Sequence, residues 1–157
     1  MNIVYAQKSW SAQDVAFSSI FLAGPTPRSK DIPSWRPEAL RILDQDYHFK
    51  GVVFVPEDEG GGMSGSKLDQ MGWEWRALSA AKVIAFWVPR DIGGGMPGFT
   101  TNVEFGMFAA SGKAILGYPK NADKVSYLQF HATRLNLYTT HNLSYLLREA
   151  KERAVFR

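Results

Sequence analysis

The sequence contains no cysteine. That excludes a disulfide framework and a thiol nucleophile, and it leaves only histidine and carboxylates to hold a metal. Histidine is scarce as well: His48, His131 and His141 are far apart and have no ligand spacing, so neither a metal nor a cofactor is expected. No run approaches the ~20 apolar residues of a membrane span, and the N-terminus carries no signal-peptide pattern. No membrane partner and a cytoplasmic location are therefore expected. Blocks of like charge are also missing. The formal net charge is +3 and the Lys and Arg residues are scattered, which argues against a nucleic-acid groove but admits a small anionic ligand. There is no internal repeat and no low-complexity tract. The glycine triplets Gly60-Gly61-Gly62 and Gly93-Gly94-Gly95 lack the residues of a P-loop or of a dinucleotide fingerprint.

What is present describes one α/β domain, 1–157. Apolar residues make up 45% and charged residues 21% of 157 residues, enough to bury about two-thirds of the unfolded surface. Residues 1–14 are polar and irregular and read as a loose N-terminal arm. Strands are expected at Val15–Ala23, Val52–Pro56, Val83–Pro89, Ala114–Pro119 and, shorter, Leu135–Thr139. Helices are expected from Pro33 or Ser34 to Asp46, at Lys67–Ala81, after a cap at Thr100, Thr101 or Asn102 and ending at Gly112, at Val125–Arg134, and from Asn142 onward. Such alternation predicts a five-stranded, mainly parallel sheet covered on both faces. The loops after its first three strands then meet at one edge: Gly24–Lys30, the glycine-rich Glu57–Gly65 with the makings of a lid, and Arg90–Thr101. The carboxyl ends of parallel strands are where such sheets bind ligands.

Glu104 lies just past this crevice, in what the spacing makes the first turn of a helix, where the dipole favours an ionised carboxylate. Spacing alone also admits an ordinary first-turn Glu with no further role. Trp35, Trp73, Trp75 and Trp87 are candidates to stack on a base, with Trp87 reading better as core. Arg28, Arg36 and Arg90 read as surface cations, Arg28 being the best placed for a phosphate because it follows the first strand's turn.

Ile20-Phe21-Leu22-Ala23-Gly24-Pro25, Trp73-Glu74, the central strand, Asn102-Val103-Glu104-Phe105-Gly106 and Gly112-Lys113 together resemble the nucleoside 2-deoxyribosyltransferase-like family, whose superfamily includes the 2′-deoxynucleoside 5′-phosphate N-hydrolases. The similarity runs over roughly residues 17 to 130, and the Glu-x-Gly closed by Gly-Lys is its most specific part. It implies a flavodoxin-like three-layer sandwich and a nucleophile at Glu104 that attacks the sugar C1′. It also implies a second acid at Glu74, eight positions before Lys82, acting as general acid at the departing base. The family usually has Asp at both of those places, so Glu74 and Lys82 are departures. The loop before Glu104 departs too: it is longer, with Gly98 where an Asp or Ser is common. Gly24, Pro25, Thr26 and Arg28 in the first loop, with Asp91, Thr100, Thr101 and Asn102 in the third, are the candidate substrate contacts. The implied partners are a nucleoside or nucleotide and a free nucleobase, and the implied assembly is a homo-oligomer. Transfer of deoxyribose between bases is the expected activity. Hydrolysis of nucleoside 5′-monophosphates, and a non-catalytic nucleotide-binding module, are the alternatives.

Overall fold

The computed structural model describes residues 1–29 and 31–156; Lys30, at the end of the first loop, lies outside them. Six strands form one sheet: β1 (Asn2–Tyr5), β2 (Ser19–Ala23), β3 (Val52–Val55), β4 (Val83–Trp87), β5 (Ala114–Gly117) and β6 (Thr139–Thr140). Their order is β1-β3-β2-β4-β5-β6, and every neighbouring pair is parallel. Leaving β1 aside, this is the flavodoxin-like order, with its topological switch between β2 and β4.

The sixth strand corrects the sequence reading at the N-terminus. Asn2–Tyr5 is not a loose arm: it pairs with β3 in register Asn2↔Val52 to Tyr5↔Val55. Ala12–Val15 follows as the short helix α1, capped by Ser11 and Asp14 in a reciprocal box. β1 is a half-exposed edge strand with Val4 alone buried, and its apolar stretch, Ile3-Val4-Tyr5, is too short to mark a strand without its pairing to β3. At the other edge β6 has two paired residues, of which only Thr139 falls in the expected strand Leu135–Thr139.

The inner strands β2 to β5 are buried at every position. Their side chains alternate between two layers, as a period of two requires. In β4, Ile84 and Phe86 join one core with Phe21, Phe54, Trp73, Ala77, Phe105 and Leu128. That layer is built by α3 (Lys67–Ala80), α4 (Phe99–Phe108) and α5 (Ser126–Arg134). Val83, Ala85 and Trp87 join the other core with Trp35, Ala39, Leu43, Leu146 and Ala150. That layer is built by α2 (Arg36–Arg41), continued as a π-helical turn through Asp46, and by α6 (Leu143–Phe156). The last helix is capped by Asn142, whose side-chain oxygen accepts from the Tyr145 amide at 3.1 Å. Among the described residues no helix is long and apolar enough to cross a membrane.

Candidate active site

The loops after β2, β3 and β4 do converge. The Arg28 amide donates to the Gly95 carbonyl at 3.0 Å, and Ser34 Oγ donates to Glu57 Oε1 at 3.0 Å. A Cβ on Gly24 would stand 1.9 Å from the Trp87 carbonyl oxygen, so β2 and β4 leave the sheet with backbone against backbone. The loop after β3 is not a free excursion: it turns back through the Asp58 amide to the Gly62 carbonyl, and Gln7 Nε2 donates to the Ser64 carbonyl at 2.8 Å.

α4 begins at Phe99, after Gly98 in the left-handed conformation (φ 61°) with no side-chain cap. Thr100, Thr101 and Asn102 are therefore inside the helix rather than capping it, and Glu104 falls in the second turn. It ends as expected, through a 3₁₀ turn to Gly112 at φ 76°. The shift of one turn matters, because the dipole's influence fades within the first turn. Glu104 is partly buried. Burial, and then the nearby charge of Glu74, push its carboxyl up to about 8, while Arg36 acts to lower it. The expected ionised Glu104 is thus corrected to one that is mainly protonated at neutral pH, because desolvation outweighs a distant helix terminus. Glu74, in the middle of α3, is also raised, mainly by burial; Gln70, which donates to Glu74 Oε1 at 2.8 Å, and Arg36 act to lower it.

Between these helices and the opposite layer sits Arg36. The sequence reads it as a surface cation; it is 1% exposed. Its Nε donates to the Leu22 carbonyl at 3.1 Å, its Nη2 to the Gly24 carbonyl at 2.7 Å, and its Nη1 reaches the Pro25 carbonyl, Thr26 Oγ1 and Glu57. Glu57, 2% exposed, forms a buried ion pair with it. Arg90 is buried as well, contrary to expectation, and donates to the Lys124 and Gly98 carbonyls and to Asn102 Oδ1.

The candidate contacts therefore divide. Gly24, Pro25 and Thr26 face Arg36 with their oxygens. Arg28 is exposed beside the α4 terminus, 5.5 Å from the Phe99 ring. Thr100 is exposed one turn before Glu104, on the same side of α4. Thr101 is buried, and Asn102 belongs to Arg90. Asp91 turns into its own loop, accepting from the Gly94 amide at 2.6 Å, rather than toward a base. Trp35 and Trp73 are buried, with ring N–H groups donating to the Pro25 and Lys8 carbonyls; Trp87 is core, and Trp75 alone of the four is exposed. Surface depressions of about 420 Å³ near Phe17 and Phe49 and about 480 Å³ between Tyr5 and Glu59 include neither Glu74 nor Glu104, so chemistry rather than concavity picks out the site. Sequence reasoning missed Arg36, Glu57 and Gln70. The one signal for Glu57 was its place directly after a buried strand.

Residues 18–122 match the model of a family described as nucleoside 2-deoxyribosyltransferase like. No curated protein matches the chain.

Proposed function

Because the chain belongs to the nucleoside 2-deoxyribosyltransferase-like family, we propose that it cleaves the N-glycosidic bond of 2′-deoxynucleosides through a covalent glycosyl-Glu104 intermediate and passes the sugar to another base. The observation that supports this reading is the placing of two carboxyl groups, Glu74 and Glu104, on adjoining helices at the carboxyl end of the sheet, close enough that the charge of one raises the other. Carboxyl groups coupled in this way titrate as a pair, and the proton that rests mainly on Glu104 in the free protein must be exchanged for one on Glu74 before reaction. In the productive arrangement the charge is on Glu104 and the proton on Glu74. Glu104 attacks C1′, the bond to the base breaks, and the base leaves with the proton from Glu74. An acceptor base then returns a proton to Glu74 and takes C1′ from Glu104, for net retention at the sugar. Thr100, one turn before Glu104, is placed to bind a sugar hydroxyl.

The test is incubation with a deoxynucleoside, with and without a second free base. Exchange of bases with trapping of a glycosyl ester on Glu104 is expected, and Glu104→Ala should lose more than tenfold in rate, since a nucleophile supplies several kcal/mol of barrier lowering. Free deoxyribose as the sole product, unaffected by acceptor, would overturn transfer in favour of hydrolysis. Arg28 supports that second reading. It is an exposed cation at the mouth with no carboxylate paired to it among the described residues, so hydrolysis of 5′-monophosphates requires Arg28→Ala to raise KM for the monophosphate and spare the nucleoside.

We propose in addition that the assembly is a homo-oligomer. α3 exposes Leu68, Met71 and Trp75, and α4 exposes Phe99, Val103 and Met107, each set at helical spacing on one side. The two helices are tied by Trp75 against Phe108 at 5.6 Å. Rows of this size exceed the scattered apolar residues of an ordinary surface.

A further inference from the structure

A guanidinium sealed from water costs several kcal/mol unless it is fully paired. Arg36 meets that demand with five acceptors, all of them at the ends of β2 and β3. Four of those acceptors belong to Leu22, Gly24, Pro25 and Thr26, which form the end of β2 and the floor of the crevice. Its ring neighbour Trp35, 4.8 Å from the guanidinium carbon, donates to the same Pro25 carbonyl. The side chain comes from the α2 layer, whereas the two carboxylates it influences stand on α3 and α4 in the opposite layer. Counted together, the buried or partly buried charged side chains at this end of the sheet are two cations, Arg36 and Arg90, and three carboxyl groups, Glu57, Glu74 and Glu104. Glu57 is tied directly to Arg36.

Resting on the family reading of Glu104 and Glu74, we propose that Arg36 is a positioning residue for the reaction: its fork fixes the β2 loop beneath the sugar, and its charge is what allows one of the two carboxyl groups to be an anion in a site shielded from water. Glu57 sets how much of that charge is left over. Of the other ionisable groups at the crevice, Arg28 on the β2 loop and Asp91 on the β4 loop are exposed, and the buried Arg90 is turned to the Lys124 and Gly98 carbonyls and Asn102 Oδ1, whereas Arg36 is the cation that acts on both carboxyl groups. On α3 only Gln70 adds to the field at Glu74. Arg36 acts to lower both carboxyl groups, second only to the raising causes at Glu104.

The test follows the carboxyl ¹³C resonances of Glu104 and Glu74 through a pH titration of the free protein, assigned with Glu104→Gln and Glu74→Gln, beside the pH profile of kcat/KM. The double variant Arg36→Gln with Glu57→Gln removes both buried charges and keeps hydrogen-bonding side chains. Both titrations should then move to higher pH, by the margin by which the charge of Arg36 outweighs that of Glu57 at the two carboxyl groups. The rate at pH 7 should fall at least tenfold, and the limbs of the profile should move with the titrations. Glu57→Gln alone removes a negative charge, so it must move the titrations the other way, to lower pH; this variant keeps the test decisive if the double variant does not fold. Arg36→Lys keeps the charge and loses the fork, so it should retain the titrations and lower kcat. Loss of activity with titrations unmoved in the charge-altering variants would overturn the proposal and leave Arg36 a structural clasp. Because the titrations need no substrate, they stand apart from the reaction assigned to the pair. A protein that cleaves no glycosidic bond yet shows these shifts would refute that reaction and leave the electrostatic role of Arg36 intact.

Discussion

Glu104 costs the folded protein stability. An unfolded chain ionises it near 4.5, the folded one only at about 8. Between those values the native state holds a proton that the unfolded state has lost, so stability falls as pH rises through the window and levels off above it. Glu104→Gln should therefore raise the melting temperature by an increment that grows from pH 5 to pH 8 and is flat beyond. The upper bound is about 5 kcal/mol at about 1.4 kcal/mol per pH unit, and turnover should be abolished. An equal gain at pH 4 and pH 8 would show that burial of the charge is not the cause. Glu74→Gln has a different signature. On the proposed mechanism it removes the general acid, so the rate should drop by ~10²–10⁴ for a natural base and little for an activated leaving group; equal losses on both would take Glu74 out of the acid role. The pairing of these two carboxyl groups was anticipated in the sequence, Glu104 being singled out by the strand–loop–helix spacing and the Glu-x-Gly and Glu74 by the family pattern, while their roles stand as proposals. Arg36 and Glu57 were not legible there. Their burial depends on Leu22, Gly24 and Pro25 closing over Arg36 from a distant part of the chain, and no linear spacing encodes that.

At the scale of elements, the crossing of β2 and β4 decides the shape of the crevice. Gly24 has φ 150° and its missing Cβ is what lets the Trp87 carbonyl and Trp35 Cζ2 approach. Gly24→Ala must part the two strand ends, at a cost of about 2–5 kcal/mol from backbone strain and overpacking combined. Thermal unfolding should come roughly 5–15 °C lower, given about 2–4 °C per kcal/mol for a chain of this size. Activity should suffer further, because the Gly24 carbonyl is an Arg36 partner. A variant with wild-type melting would mean that the junction yields easily. The inner strands were readable because burial on both faces writes itself as continuous apolar runs. β1 was missed and β6 placed four residues early, because edge strands of four and two residues gain their definition from pairing with β3 and β5 rather than from a long run of their own. The start of α4 was misplaced by one turn because Gly98 opens it through backbone conformation, where the sequence offered three side chains able to cap.

For the whole molecule, the apolar rows on α3 and α4 border the two carboxyl-bearing positions, Trp75 beside Glu74 and Val103 beside Glu104. Trp75→Glu should shift sedimentation to the mass of one chain and lower activity without changing the far-ultraviolet circular dichroism; a chain that already sediments as a monomer would refute the oligomer. The parallel, doubly covered sheet was legible from the alternation of elements, while its six-strand count needed the pairing of residues 2–5. The origin of Arg36 in the α2 layer has a further consequence for how the protein fails on heating. Arg36 ties the α2 layer to the ends of β2 and β3, which form the crevice floor, through one side chain's hydrogen bonds, so their loss loosens that floor while both apolar cores stay packed. Warmed slowly, the enzyme should fall silent some degrees below the temperature at which its tryptophan fluorescence reports melting, and should recover fully if cooled within that interval.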